Sequence, residues 1–269
     1  MSVLLQISDP HFGTERPRVV EALVAFAQRE RPDLVVLSGD ITQRARAEQF
    51  RAARAFADRL GAPVVAIPGN HDIPLFDLPA RLFRPYARQR DAFGAELEPV
   101  HASAGLLVVC VNTTRPWRHK NGEVSVAQVE RVAARLREAT PAQLRVVVVH
   151  QPAAVLRERD AHDLLRGHAN ALQRWAEAGA DVVMGGHIHL PCVIEQRGLA
   201  RPLWVVQAGT AVSSRVRDGV PNSVNLLRWD GAADAREAVV EQWDGAADGG
   251  AFMLTATTRL VPARGGHGR

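Results

Sequence analysis

Lysine is nearly absent: of 33 basic residues only Lys120 is not an arginine. Against 29 acidic residues the balance is +4, and three of the arginines, Arg259, Arg264 and Arg269, lie beyond the last acidic residue, Asp248. The body of the chain is therefore close to neutral. It lacks the clustered positive charge that a nucleic-acid footprint needs, so no nucleic-acid polymer is expected as a partner. The two cysteines, Cys110 and Cys192, cannot build a multi-bridge disulfide framework, and Cys110 sits in the apolar run Leu106–Val111 as a small hydrophobe. No run of ~18 apolar residues is present to span a bilayer. Asp9 interrupts the first apolar run, so no leader is expected and the chain is expected to be cytoplasmic.

What is present is an ordinary globular composition, 46% hydrophobic and 23% charged over 269 residues. Short β-rich runs alternate with longer stretches of helical period. Strands are predicted at Val3–Ser8, Leu34–Ser38, Pro63–Ile67, Leu106–Val111, Leu144–Val149 and Asp181–Met184. Helices are predicted at Pro17–Glu30, Ala45–Leu60, Val126–Ala139 and His162–Ala178. Asp77–Phe93 reads as a helix broken at Pro85, a segment able to act as a lid. Beyond it the pattern turns to β runs at Cys192–Gln196, Leu203–Gln207, Ser223–Trp229, Ala238–Trp243 and Leu254–Leu260. One domain over residues 1–261 is expected, with a disordered Gly- and Arg-rich tail at 262–269. The alternation implies an α/β fold with a largely parallel core and a more antiparallel second half.

In open α/β sheets, ligands bind beyond the carboxyl ends of the strands. Those ends carry an unusual series: Asp9-Pro10-His11, Gly39-Asp40, Gly69-Asn70-His71-Asp72, His150, and Gly185-Gly186-His187-Ile188-His189. Any one fragment alone reads as a turn or a hydrogen-bonded core histidine. Five in succession, each at a predicted strand exit, form a mixed oxygen and nitrogen donor set. Such a set suits Mn²⁺, Fe or Zn²⁺, and the lack of thiolates argues against a structural zinc site. Seven donors are too many for one tetrahedral ion and suit two ions sharing a carboxylate.

This order of motifs resembles the calcineurin-like metallophosphoesterase superfamily over roughly residues 1–210. The resemblance implies a four-layer αββα fold, a two-sheet β-sandwich flanked by helices, with two divalent metal ions at the strand ends. Carried onto matching positions, Asp9, His11 and His189 would hold the first ion, Asn70, His150 and His187 the second, and Asp40 would bridge them. His71 would contact the phosphate or leaving-group oxygen, with Asp72 orienting it. The implied reaction is hydrolysis of a phosphoester by a metal-bridging hydroxide between ions ~3.5–4 Å apart.

Within the superfamily, Ile41-Thr42-Gln43-Arg44 and Asp72 depart from the protein Ser/Thr phosphatase pattern. His71 departs from the arginine usual in lipid A-pathway UDP-sugar pyrophosphohydrolases. Double-strand-break nucleases share Gly-Asn-His-Asp but would need a basic face. Gly39-Asp40-Ile41-Thr42 and the closing Gly-Gly-His-Ile-His are most similar to the class III cyclic-nucleotide phosphodiesterase group and its glycerophosphodiesterase relatives, although Asn112-Thr113 stands where relatives often carry an acidic residue and Ser. The expected function is hydrolysis of a small phosphodiester such as a cyclic nucleotide. The alternatives are a phosphomonoesterase or pyrophosphohydrolase on a nucleotide or lipid headgroup, and an inactive binding scaffold. Candidate substrate contacts are Arg115, Trp117, Arg118 and His119, with a plain solvated loop as the alternative, and Arg215 with Arg217 in the loop Ser213–Asn222. His162 and His168 read as helix-surface groups. Trp229 and Trp243 leave a homodimer open, with burial inside the same domain as the other reading.

Overall fold

The computed structural model describes residues 1–217, 219–231 and 237–263; residues 264–269 of the tail expected at 262–269 lie outside them. The first sheet has strand order β12-β11-β10-β1-β2-β3. It comprises β1 (Ser2–Ile7), β2 (Leu34–Leu37), β3 (Val64–Ala66), β10 (Ser223–Trp229), β11 (Ala238–Gly245) and β12 (Phe252–Leu260). The second has order β4-β5-β6-β7-β9-β8, from β4 (Val100–Ala102), β5 (Leu106–Cys110), β6 (Leu144–Val148), β7 (Val182–Gly185), β8 (Cys192–Gln196) and β9 (Leu203–Gln207). Strands β1, β2 and β3 run parallel, as do β5, β6, β7 and β9.

The central strands β1, β2, β5, β6, β7 and β9 are apolar on both faces because both faces are covered. Leu4, Val36, Val108, Val146, Met184 and Val206 point between the sheets into a shared core. Leu5, Ile7, Val35 and Leu37 point outward, against α1 (Pro17–Glu30) and α2 (Ala47–Asp58). On the other side Val109, Val147 and Val183 meet α5 (Val126–Arg137) and α6 (His168–Glu177). The result is the αββα sandwich, two mixed six-stranded sheets between helices. Pro17 opens α1 at a position where its missing N–H is not needed. Ser125 caps α5 reciprocally: its Oγ accepts from Gln128 N at 3.2 Å, and Gln128 Oε1 accepts from Ser125 N at 3.0 Å.

Three features differ from the sequence reading. The helix expected from His162 begins only at His168. Leu165 N and Arg166 N are already donating to Pro152 O and Gly122 O, and Gly167 at φ +86° turns the chain into the helix. Glu158–Asp163 forms a separate 3-10 turn. Strand β4 was not foreseen; it is a three-residue edge strand paired with β5. The break at Pro85 does divide α3 (Leu78–Phe83) from α4 (Ala87–Phe93), and α3 buries none of its side chains. Trp229 is buried with Nε1 donating to Ala142 O at 2.8 Å, and Trp243 packs on Phe26, so both are taken up within the chain. No helix among the described residues is long and apolar enough to cross a membrane.

A polar seam joins the sheets at the end where the parallel strands exit. Gln6 Nε2 on β1 donates to Gly185 O on β7 at 2.9 Å, Asn225 Nδ2 on β10 donates to Gln6 Oε1 and Gln207 O, and Gln207 Nε2 donates to Gly186 O at 2.7 Å. All three amides are buried, where an unmatched amide costs about 1–3 kcal/mol. Farther from this end, Trp175 of α6 is fully buried with its indole N–H donating to Val129 O. Trp175→Ala is expected to lower unfolding free energy by about 3–5 kcal/mol, read as a denaturant-midpoint shift; a change below ~1 kcal/mol would contradict this packing.

Candidate metal centre

The exits of β1, β2, β3, β6 and β7 converge, and the backbone bends sharply to aim their side chains back at one point. Asp9, His11, Asp40, His187 and His189 all have positive φ, from 44° to 72°. A left-handed conformation costs a non-glycine residue roughly 1–2 kcal/mol, so surrounding bonds must hold each one. Asp9 N donates to Gly39 O, His11 N to Asp40 O, and Thr210 Oγ1 to Asp9 O at 2.6 Å. Glycines make the approach possible. At Gly39 (φ +97°) a Cβ would overlap the His150 ring, and at Gly186 it would overlap Ser8 Oγ and Asp9 Oδ2.

The donors form three overlapping groups: Asp9, His11 and His189; His11, Asp40 and His71; and Asp40, His150 and His187. Asp40 faces both ways. Its Oδ1 is 3.3 Å from His150 Nε2 and its Oδ2 is 3.7 Å from His11 Nε2. Asp9 Oδ2 is used by Ser8 Oγ and His187 N, leaving Oδ1 free, 3.2 Å from His189 Nε2. His11 Nε2 and His189 Nε2 lie 3.2 Å apart. Outward nitrogens are fixed: His150 Nδ1 donates to Ser38 O and His189 Nδ1 to Arg215 O, so each presents Nε2 inward.

This arrangement fits a pair of divalent ions. Asp9 Oδ1, Asn70 Oδ1, His150 Nε2 and His187 Nε2 are buried with no hydrogen-bond partner. Unmatched buried polar atoms are costly and rare, and here they face one another across a shared carboxylate with no thiolate among them.

Charge compensation is already built in. Burial opposes ionisation of Asp9 and Asp40, but His189 beside Asp9, and His150 beside Asp40, outweigh it and hold both below the usual carboxylate range. His150 is buried too, yet the Asp40 and Asp9 charges raise its pKa to about 9, and Asp9 raises that of His189. His11 goes the other way, down to about 3, because burial exceeds the attraction of the two carboxylates.

The structure revises the reading of Asp72. It does not orient His71, whose Nδ1 donates instead to Gln43 O at 2.9 Å. The Asp72 carboxylate accepts from Gly69 N, Ile41 N, Thr42 N and Thr42 Oγ1, latching the β2 and β3 exit loops together. Burial and the Asp40 charge push its pKa up to about 7 against the pull of those backbone donors.

A cavity of about 560 Å³ opens over the cluster, and the structure places His71, His119, Arg215 and Arg217 on its wall. The other predicted contacts face elsewhere. Arg115 is held by Asn112 O, Thr114 O and Gln128 Oε1, and Arg118 by Glu123. Trp117 is 74% exposed and does not line the cavity. In their place the wall includes Lys120, Asp160 and Asp163, which no spacing signal marked. Asp163 Oδ1 lies 2.7 Å from Lys120 Nζ and 3.7 Å from His187 Nε2, and although burial opposes its ionisation, His187 and Lys120 keep it well below the usual carboxylate range. His162 is exposed on the 3-10 turn and His168 is outside the cavity.

Because His150 holds a proton up to about pH 9, an ion binding at its Nε2 must displace that proton. Apparent Mn²⁺ affinity of ion-free protein is therefore expected to rise about tenfold per pH unit from pH 6 toward 9, measured by titration at several pH values. A flat profile would contradict this. Asp40→Ala is expected to abolish binding of both ions and Asp9→Ala to abolish one, read by elemental analysis.

Comparison with known proteins agrees with this geometry. The calcineurin-like phosphoesterase family profile matches residues 2–191. The chain is 29% identical over 204 residues to a cAMP/cGMP dual specificity phosphodiesterase of Mycobacterium tuberculosis, covering 70% of this chain and 61% of that protein. It is 37% identical over 81 residues to the glycerophosphodiester phosphodiesterase GpdQ of Enterobacter lignolyticus, covering 26% of this chain and 29% of that one. The chain thus spans less than two thirds of the length of either relative. A dimetal phosphatase from Danio rerio superimposes with TM-score 0.70 at 14% identity, covering 97% of this chain and 99% of that one, a likeness of fold. With its fold, its paired donor groups and a profile match over most of its length, the chain belongs to the calcineurin-like phosphoesterase family.

Proposed function

We propose that this chain is a metal-dependent phosphoester hydrolase acting on a small phosphodiester such as a cyclic nucleotide. The observation that carries the reading is Asp40, with one oxygen toward His11 and the other toward His150, among buried donors that lack partners. Asp9, His11 and His189 would hold one ion and Asn70, His150 and His187 the second, with Asp40 placed between the two groups. Two bound divalent ions supply Lewis acidity toward phosphoryl oxygens and lower the pKa of water.

The chain's own residues do the rest. Buried carboxylates and Nδ1-anchored imidazoles keep the donors fixed before substrate arrives, so little reorganisation is required. His71 Nδ1 donates to Gln43 O, so its Nε2 on the cavity wall, which accepts from Arg215 Nη1, must gain a proton before it can donate to the leaving-group oxygen. His71 N donates to Asp40 Oδ1 at 2.8 Å, tying this histidine to the shared carboxylate. A cavity of about 560 Å³ falls within the range of small-ligand sites. The named activities of the two relatives, on cyclic nucleotides and on glycerophosphodiesters, support the diester class.

The test pairs bis(p-nitrophenyl) phosphate with p-nitrophenyl phosphate on Mn²⁺-reconstituted protein, with Asn70→Ala as the metal-site control. Faster diester cleavage, lost in the control, is expected, and a panel of 2′,3′- and 3′,5′-cyclic AMP and glycerophosphodiesters would then narrow the substrate. Much faster monoester cleavage would sink the diester reading. His71→Ala is expected to retain its ions while kcat falls by about 10²–10⁴-fold; loss of ions instead would place His71 among the metal donors.

A further inference from the structure

Among the described residues, three cationic side chains other than histidine line the cavity: Lys120, Arg215 and Arg217. Two already face carboxylates. Lys120 Nζ lies 2.7 Å from Asp163 Oδ1, and Arg217 Nη2 donates to Asp160 Oδ1 at 2.8 Å. Arg215 has no carboxylate partner among the described residues. Its Nη1 donates to two neutral acceptors, Gln43 Oε1 at 3.0 Å and His71 Nε2 at 3.1 Å.

The chemistry of that contact is constrained. A guanidinium offers only donors, so His71 Nε2 must be the acceptor, consistent with His71 Nδ1 donating to Gln43 O. The guanidinium therefore covers the one nitrogen of His71 that the hydrolytic reading requires. The backbone beneath it is fixed. Arg215 N donates to Ser213 Oγ at 3.0 Å, and Arg215 O accepts from His189 Nδ1 at 2.7 Å. The side chain itself is exposed and, among the described residues, bound only to neutral groups. Arginine pairs more strongly with phosphate, often through two parallel bonds, than with neutral acceptors, so an arriving phosphoryl group outcompetes an amide and an imidazole.

We propose that Arg215 is the substrate-anion receptor of this site and the gate over His71. Its guanidinium rests on His71 Nε2 in the free chain and moves to a phosphoryl oxygen when a phosphoester binds. That movement uncovers Nε2, which must take a proton from water before it can donate to the leaving-group oxygen. The proposal rests on the phosphoester-hydrolase reading of the same cavity and adds a binding residue and a two-position side chain to it.

Three readouts on the full chain test it. In Mn²⁺-reconstituted protein, Arg215→Ala is expected to weaken inorganic phosphate binding by about 10- to 100-fold in calorimetry, with both ions retained and Arg215→Lys intermediate. KM for bis(p-nitrophenyl) phosphate should rise by a similar factor, with kcat changing much less. In ion-free protein, diethyl pyrocarbonate should acylate His71 Nε2 severalfold faster in Arg215→Ala than in wild type, because the gate is gone. Arg18→Ala, which removes an exposed ion pair with Asp248, serves as the unchanged control. Phosphate affinity and labelling rate both within about twofold of wild type would overturn the proposal, as would a fall in kcat accompanied by ion loss, which marks a role in holding His189. If wild type cleaves no ester, the hydrolase reading fails, while phosphate affinity and His71 labelling still decide the role of Arg215.

Discussion

Two carboxylates withdrawn from water govern this molecule. Asp9 and Asp40 are almost completely buried, and an isolated buried carboxylate would take up a proton rather than stay charged. Each stays ionised because a protonated imidazole stands within 4 Å of it, His189 by Asp9 and His150 by Asp40. The cluster is thus electrostatically self-supporting yet leaves inward-facing lone pairs unmatched. That combination, charge held in place with coordination left over, is what a resident cation completes.

Holding the donors so close strains the chain at several points at once. Five donor residues sit at positive φ, and glycines flank them where any side chain would collide. Local backbone strain persists only where surrounding structure over-determines it. Here the constraint comes from both sheets. The buried amides of Gln6, Asn225 and Gln207 tie β1 and β10 to the exits of β7 and β9, and Asp72 ties the exit of β2 to that of β3. Neither device contacts a reacting group, yet both set the distances on which the centre depends.

The peripheral charges show a second level of organisation. Lys120 with Asp163 and Arg217 with Asp160 are balanced pairs on the cavity wall, and Asp163 also reaches toward His187. These residues come from the β5–α5 segment, the 3-10 turn before α6 and the loop after β9. They meet only because β5, β6, β7 and β9 deliver their loops to the same end of one sheet. The arginines expected as contacts, Arg115 and Arg118, are instead absorbed by Gln128 and Glu123 in holding their own loop.

Periodicity alone carried the α/β alternation, the extents of α1, β8, β9 and β10, and the break at Pro85, because apolar spacing and proline act locally. The donor series was legible for a related reason. Each donor directly follows a buried strand, and parallel strands expose their ends on one side of a sheet. Arg115, Trp117 and Arg118 were misplaced because side-chain direction within a loop depends on which neighbours can accept its hydrogen bonds. Asp72 was misassigned because adjacency to His71 in sequence does not decide which backbone N–H groups its carboxylate meets. The amino-acid sequence determined the layers and the donor types, since burial and strand exits are written in local pattern. Only the tertiary structure decided that Asp40 faces two groups of donors, that Asp163 and Lys120 share the wall, and that Arg215 covers His71, because those contacts join residues 29 to 144 positions apart through the packing of two sheets.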